Sequence, residues 1–353
     1  MDDDAPGQQG AEQFAQKLGI GRTLIVHSSF DFDTGNNDDS FSDKRPPKDA
    51  NDALVAGIDL NELVKRAQPI KHHRIMTYNQ IKGDVYREFF DKSSEVNGVQ
   101  SMFFPKWNTL LKGLRRGELS IYTGPTGIGK TTILSMLSLD FALQDVPTLW
   151  GSFEIRNTRL IKKMLCQLAG KDLSKCTRDE FEQVSERFHR LPTYFMNFHG
   201  STSVDQVLDA MDYAVYVHDV QHVIIDNLQF MTSGQGSGYE KFDIQDKAIE
   251  KFRAFATNKN VHISIVVHPR KQEDHALLGL ASVFGTAKAT QEADNVVIIQ
   301  RGKLYRYLAI KKNRFDGDLG DIPYRFDKDS NRIYELTKDQ IEQVEQGVLD
   351  LSY

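Results

Sequence analysis

The sequence has 353 residues, of which 40% are hydrophobic and 26% are charged, and its net charge is −5. This balance predicts a globular protein with a sizeable core, and the net charge alone indicates neither a nucleic-acid partner nor its absence. No run approaches the roughly 18 apolar residues of a membrane span, so we expect none. The two cysteines, Cys166 and Cys176, form neither a disulfide framework nor a zinc spacing, which suits a reducing compartment.

The N-terminal region carries too few predicted elements to close a core. After a helix over residues 11–18 and a strand over Thr23–His27, a polar stretch from Asp31 to Ser42 reads as a loop. A short helix after Lys48 and a second helix from Asp59 to Ala67 complete this region. We therefore expect it to be a fragment of a larger domain.

A linker follows, and it contains one amphipathic helix. Tyr78, Ile81, Val85 and Phe89 recur at helical spacing among charged residues. The apolar stripe either packs within its own subunit or docks on a neighbouring subunit.

From Phe103 onward, apolar strands alternate with amphipathic helices, which predicts an α/β domain with a mostly parallel central sheet covered on both faces. The predicted strands are Leu119–Tyr122, Thr148–Phe153, Thr193–Phe198, Val223–Asp226, Val261–Val267, Val296–Gln300 and Tyr305–Lys311. The predicted helices are Ile133–Leu143, Arg159–Ala169, Arg178–Arg190, Val204–Val217 and Asp243–Thr257.

The most informative stretch is a glycine-rich loop between the first of these strands and its helix. Residues 124–131 fit the pattern G-x-x-x-x-G-K-[ST] of a P-loop, whose backbone amides surround phosphate oxygens. Lys130 is expected to reach the β- and γ-phosphates, and the Thr131 hydroxyl to ligate Mg²⁺. The alternative is a glycine turn with a surface lysine. It does not explain why a predicted strand directly precedes the loop and a predicted helix directly follows it. The predicted ATP-binding residues of this loop are Gly124, Pro125, Thr126, Gly127, Ile128, Gly129, Lys130, Thr131 and Thr132.

Three polar residues follow predicted strands, where parallel sheets bind their ligands. We expect Asp226 to hold Mg²⁺ through water, unless it merely caps the next helix. Glu154 is the candidate base that orients the attacking water, the alternative being a surface glutamate. His268 is a candidate γ-phosphate sensor, although a strand-end histidine is often only a satisfied polar group.

Two further groups of cations are candidates for partner contacts. Arg270 and Lys271 begin a loop that could face DNA phosphates, although nearby acidic residues weaken that prediction. The glycine-containing segment from Thr232 to Phe242 is either a second such loop or an ordinary connection. Lys312 and Arg314 stand at a strand end before a turn, either as a solvated hairpin tip or as groups donated to an adjacent subunit's nucleotide.

Together these motifs resemble those of ring helicases with a RecA-like, DnaB-type core. The resemblance covers about Ala11 to Tyr334, and the remaining motifs are Trp-Gly-Ser-Phe-Glu (150–154), His-Val-Ile-Ile-Asp-Asn-Leu-Gln-Phe-Met (222–231), Val-Val-His-Pro-Arg-Lys (266–271), Gly-Thr-Ala-Lys-Ala-Thr-Gln-Glu-Ala-Asp-Asn (285–295) and Lys-Asn-Arg-Phe-Asp-Gly-Asp (312–318). It implies catalytic or sensing roles for Lys130, Glu154, His268, Gln291, Lys312 and Arg314, and magnesium binding by Thr131 and Asp226. It also implies that Arg301, with Phe326 as a looser match, stacks on the ATP base.

The same resemblance implies a domain plan and a set of partners. Residues 1–67 would be the remnant of a primase-like (Toprim-type) domain, 68–100 a linker with a subunit-docking helix, 101–336 the ATPase domain and 337–353 a tail. We expect a truncated protein without priming activity, because most of that first domain is missing. The expected ligands and partners are ATP or another nucleoside triphosphate, Mg²⁺, single-stranded and forked DNA, a replicative polymerase and a single-strand-binding protein.

A homo-oligomeric ring of six or seven subunits is expected by the same resemblance. A mitochondrial location, in the matrix nucleoid, rests wholly on it, since the N-terminus shows neither a signal core nor a transit segment. A filament-forming recombinase and a strand-annealing ring remain alternatives.

Overall fold

The chain divides into two units, Met1–Phe90 and Asp91–Tyr353. The computed structural model describes residues 5–19, 22–26, 49–65, 67–69, 75–91, 93, 98–198, 200–235, 240–269, 277–283 and 288–351. None of its described helices is both long and apolar enough to cross a membrane.

The first unit contains four described helices and one small sheet. The helices are α1 (Ala5–Leu18), α2 (Ala50–Val55), α3 (Leu60–Lys65) and α4 (Tyr78–Phe90). The strands β1 (Leu24–Ile25) and β2 (Gln68–Pro69) pair antiparallel. Helix α1 begins six residues before the predicted start, because Pro6 is tolerated in a first helical turn. The predicted loop from Asp31 to Ser42 lies outside the described residues.

Helix α4 is the predicted linker helix, and its apolar stripe is largely open to solvent. None of its 13 residues is buried, and Tyr78 and Phe89 are 62% and 77% exposed. The predicted amphipathic helix is present, and its apolar face is exposed. Docking of this face on a neighbouring subunit stays a prediction.

The second unit is built on one large sheet with helices between its strands. Its strands are β3 (Leu119–Thr123), β4 (Thr148–Ser152), β5 (Thr193–Phe195), β6 (His222–Asp226), β7 (His262–Val266), β8 (Asn295–Arg301), β9 (Arg306–Asn313), β10 (Gly320–Asp327) and β11 (Arg332–Glu335). Its α-helices are α5 (Pro105–Leu111), α6 (Lys130–Ala142), α7 (Asn157–Ala169), α8 (Arg178–His189), α9 (Val204–His218), α10 (Leu228–Met231), α11 (Glu240–Lys259), α12 (Lys288–Glu292) and α13 (Lys338–Glu345). Two short 3₁₀ turns lie at Leu173–Lys175 and Leu280–Ser282.

The strand order across this sheet is β11-β10-β9-β8-β3-β7-β6-β4-β5. The six strands from β8 to β5 run parallel, and β9, β10 and β11 add an antiparallel edge. All five residues of each of β3, β4, β6 and β7 are buried. Continuous burial of this kind needs cover on both faces, as the unbroken apolar runs predicted.

Two apolar cores fill the space between the sheet and its helices. Along β3, Tyr122 belongs to the core that also contains Leu134 of α6, whereas Ile121 belongs to the core that contains Phe252 of α11. Successive side chains of a strand point to opposite faces, so α6 and α11 cover opposite sides of the sheet.

Several predicted boundaries differ from the observed ones. β5 ends at Phe195 instead of Phe198, and β10, β11 and α13 were not predicted. β10 was missed because Gly and Asp residues at 316–321 are typical of a turn, and because Pro323 argues against a strand that is paired on both sides.

Candidate functional site

The predicted phosphate loop joins β3 to α6, on the side of the sheet formed by the carboxyl ends of the parallel strands. We call this side the phosphate-loop edge. An ideal Cβ on Gly124 would lie 2.6 Å from the carbonyl oxygen of Ile299 on β8, so a side chain at this position has no room. Gly127 and Gly129 adopt φ values of +77° and +107°, which glycine tolerates best. These constraints explain why the loop carries glycine at these three positions.

Lys130 and Thr131 open helix α6. The Lys130 ammonium donates to the carbonyl oxygens of Gly124 and Pro125, at 2.9 and 3.0 Å, and so lies within the loop. Burial lowers the pKa of Lys130, while the charges of Asp226 and Glu154 oppose that shift. The ammonium and the helix N-terminus together form a positively charged cradle suited to phosphate.

Asp226 is brought to the same place by β6. Thr131 donates its hydroxyl to Asp226, with 2.6 Å between Oγ1 and Oδ2. Burial raises the pKa of Asp226 to about 6, and Glu154 adds to this, whereas the Thr131 hydrogen bond and the Lys130 and Lys163 charges oppose it. The alternative role of Asp226 as a helix cap is wrong, because Asn227 caps α10 by accepting a bond from the Phe230 amide.

Glu154 and His268 approach each other through Asn227. The Asn227 side-chain amide donates to Glu154 and lies 2.9 Å from Nε2 of His268, and 3.8 Å separates that nitrogen from Glu154 Oε2. Since an amide NH₂ can only donate, His268 Nε2 accepts and the ring proton resides on Nδ1. Burial, followed by the Lys130 charge, lowers the pKa of His268, which agrees with the neutral ring.

The donor set fits a magnesium ion. Thr131 and Asp226 offer hard oxygen atoms beside the phosphate cradle, and Mg²⁺ prefers one or two such ligands together with waters and phosphate oxygens. These two residues would hold the ion, whose contribution is to neutralise charge that develops on phosphate.

Gln291, Lys312 and Arg314 lie at the opposite edge of the sheet. β8 runs parallel to β3, so α12, which precedes β8, lies where the parallel strands begin. The Lys312 ammonium donates to the carbonyls of Thr290, Gln291 and Ala293, and Arg314 donates to the Gln291 carbonyl and to Asp294. The structure therefore does not bring Gln291 to its own chain's phosphate loop.

Arg301 and Phe326 lie toward the phosphate-loop edge. Arg301 is the last residue of β8 and pairs with Arg306 of β9. Tyr324 of β10 pairs with the same Arg306, and Phe326 lies two residues further along β10. A cavity of about 350 Å³ adjoins Arg301, between the 301–306 turn and residues 344–351. Base stacking by these two residues stays a prediction.

The predicted DNA contacts cannot be placed, since Arg270 and Lys271 lie outside the described residues, as do residues 236–239 of the second candidate loop. The described residues just before Arg270 are His268 and Pro269, and they follow β7 at the phosphate-loop edge.

Two residues of the site were missed from the sequence. Asn227 follows Asp226 directly, and its polar side chain after a buried strand was a usable signal. Lys163 lies on α7 and donates to the Thr132 hydroxyl at 2.8 Å. It stands next to Lys162 in a charged helix, so nothing in its local pattern separates it from a surface lysine.

Comparisons with known proteins agree with this architecture. The model of the family described as AAA domain matches residues 87–274, a little more than half of the chain. The phosphate import ATP-binding protein PstB of Mycoplasmoides gallisepticum (strain R(low / passage 15 / clone 2)) is 20% identical over 279 residues, covering 73% of this chain and 84% of that protein.

Two solved structures are similar, each at 15% sequence identity. One, described as an ATPase domain, has a TM-score of 0.65, and the match covers 74% of this chain and 100% of that domain. The other, "The Structure Of A DnaB-Like Replicative Helicase And Its Interactions With Primase", has a TM-score of 0.62 and covers 82% of this chain and 72% of its own. These similarities confirm the predicted fold, an α/β domain of the RecA-like type with a mostly parallel central sheet.

Proposed function

This chain belongs to the AAA-domain family, and on that premise we propose that it is an ATP-driven DNA helicase acting as a ring. In this proposal Lys130 and Thr131 bind the triphosphate with Mg²⁺, Asp226 helps to hold the ion, and Glu154 orients and deprotonates the attacking water. The similar solved structures, one of them titled a DnaB-like replicative helicase, support this choice among P-loop ATPases.

One observation carries the proposal: the predicted ATPase residues divide between opposite edges of one sheet. Thr131, Asp226 and Glu154 meet where the parallel strands end, whereas Lys312 and Arg314 lie where they begin. A cation at the far edge can act on ATP only when a second subunit presents its phosphate loop there. This division favours hydrolysis at subunit interfaces, and the ring of six or seven subunits in this proposal rests on the resemblance of the motifs.

The exposed stripe of α4 supports the same assembly. Tyr78 and Phe89 offer apolar surface that a neighbouring subunit would cover on docking. A contact of this kind would hold adjacent subunits together while nucleotide is exchanged.

The finer identity rests on the sequence motifs. They resemble those of Twinkle, the mitochondrial replicative DNA helicase, and on that basis we assign 5′-to-3′ translocation, a matrix nucleoid location, and a polymerase and single-strand-binding protein as partners. Residues 1–67 would then be the end of a primase-like domain, and Gln291 would respond to nucleotide state across the interface.

DNA would pass through the ring along the loop that begins with Arg270 and Lys271. Lysine and arginine contacts to phosphate carry no sequence information, which suits a motor that must move along any sequence. His268 stands two residues before this loop in the sequence and 3.8 Å from Glu154, which supports a proposed role for it in coupling the γ-phosphate to the loop.

Strand displacement on a forked duplex tests the function. We expect ATP-dependent release of the labelled strand by the full chain, and none by Lys130→Ala or with a non-hydrolysable ATP analogue. Annealing of complementary strands without displacement would instead identify a strand-annealing ring, and strand exchange by a filament would identify a recombinase.

A further inference from the structure

Helix α7 sends two side chains to the first turn of the phosphate-loop helix. Lys163 donates to the Thr132 hydroxyl, with 2.8 Å between Nζ and Oγ1. Gln167, one turn further along α7, donates to the Thr132 carbonyl at 3.0 Å. Gln167 is buried and Lys163 is partly buried, so this is a packed contact that holds the lysine at the N-terminus of α6.

The position is electrostatically unfavourable for a lysine. A helix N-terminus carries a partial positive charge, and cations stabilise helices at the other end. Lys130 already adds a positive charge at this point, and burial lowers the pKa of both lysines. The Asp226 charge favours both ammonium groups and the Glu154 charge favours that of Lys130, so two carboxylates face two lysines together with the positive N-terminus of α6. Clustered cations at a strained electrostatic position are typical of a site that binds an anion.

We propose that Lys163 is a second phosphate-binding lysine of this site, which contacts the α- and β-phosphates of the bound nucleotide. The inference rests on the proposed binding of a nucleoside triphosphate and deepens it. Thr131 turns its hydroxyl toward Asp226 and the predicted magnesium position, whereas Thr132, one residue later on the helix, turns its hydroxyl toward Lys163. Lys163 thus reaches the first turn of α6 at Thr132, within range of the Asp226 charge, while Lys130 is held inside the loop and serves the β- and γ-phosphates.

The proposed contact predicts how strongly Lys163 should stabilise bound ATP relative to bound ADP. A lysine on the α- and β-phosphates stabilises ATP and ADP alike, whereas a lysine on the γ-phosphate stabilises ATP alone. A lysine that merely balances the charge of Asp226 stabilises neither nucleotide, and its loss changes only the stability of the protein.

Binding of ATP and ADP to the full chain, measured by fluorescence titration with Mg²⁺ present, separates these cases. Lys163→Met keeps the apolar stem and removes the charge. We expect it to weaken both nucleotides about tenfold or more, as for the loss of one charge-assisted hydrogen bond. Lys163→Arg should recover most of that affinity, and Lys162→Met, at an exposed neighbouring position, should bind as the original protein does.

Thermal unfolding without nucleotide shows whether each variant is folded. If Lys163→Met is folded and binds both nucleotides as tightly as the original protein, or loses ATP affinity alone, the assignment to the α- and β-phosphates is wrong. Failure of the unchanged protein to bind ATP would instead overturn the proposed function, so the two failures are distinguishable.

Discussion

The side-chain amide of Asn227 lies 2.9 Å from Nε2 of His268 and at the same time donates to Glu154. Its oxygen accepts from the Phe230 amide, and this bond fixes which end of the side chain points at the other two residues. Asn227 therefore sets the orientation of the candidate base and of the candidate sensor together.

Asn227→Asp should disturb this arrangement without disturbing the fold. The remaining oxygen can still cap α10, but the donor is replaced by a carboxylate that repels Glu154. We expect kcat for ATP hydrolysis to fall about tenfold or more, with a KM close to the original. A change confined to KM, or to thermal stability, would argue against positioning by Asn227.

Replacing Glu154 with Gln should remove the base and keep its shape. ATP should still bind, while steady-state hydrolysis should fall by about a hundredfold or more, the usual scale for a positioned base. Lys130→Ala is the matched comparison, because it should weaken triphosphate binding itself. Hydrolysis by Glu154→Gln at close to the original rate would exclude Glu154 as the base.

The fold was largely predictable, because buried parallel strands are continuous apolar runs and the P-loop pattern reports a backbone shape that phosphate binding requires. It was harder to predict from the sequence at which end of the parallel strands each site residue lies. Gln291 precedes β8, and only the strand order shows that the chain has returned to the far edge there. Lys163 was missed because its role depends on a tertiary contact and not on local pattern. Asn227 carried a local signal, its position directly after a buried strand, but its partners Glu154 and His268 come from other parts of the chain.

Acid should destabilise the second unit through two buried histidines. His222 accepts from or donates to Ser264 at 2.9 Å and stands 5.6 Å from the ring of His262. Burial lowers the pKa of both, and for His222 the charge of His262 adds to it. The unfolded chain binds protons below a pKa of about 6.5 while the folded protein does not, so stability falls as the pH drops through that value.

The expected loss is at most about 1.4 kcal/mol per pH unit for each histidine. Denaturant unfolding between pH 7.5 and 5.5, a range of about two units around that pKa, measures it. His222→Gln should flatten the dependence, and His189→Gln, at an exposed position, should not. Equal slopes in all three proteins would contradict the assignment.

Assembly should depend on the exposed stripe of α4. Tyr78→Ser combined with Phe89→Ser removes apolar surface that the subunit itself does not bury, so the monomer should stay folded while the oligomer dissociates. Sedimentation velocity measures the change, with Lys82→Ser as a control on the same helix. Oligomers as large as those of the original protein would show that the stripe does not hold subunits together.

Hydrolysis at a subunit interface depends most on Arg314, which we expect to act on a neighbour's ATP. In its own chain Arg314 is held by Asp294, with 3.0 Å between Nη1 and Oδ1, at the edge of the sheet opposite the phosphate loop. Arg314→Ala should leave ATP binding nearly intact and depress hydrolysis, since a finger stabilises charge that develops in the transition state.

The most direct measurement is ATP hydrolysis by mixtures of Arg314→Ala and Lys130→Ala subunits, each nearly inactive alone. After subunit exchange, some interfaces join the intact phosphate loop of one variant to the intact Arg314 of the other. We expect ATPase activity to return in proportion to the number of such interfaces. If exchange is shown by a fluorescence-transfer signal between labelled subunits and no activity returns, the division of the site between neighbours is contradicted.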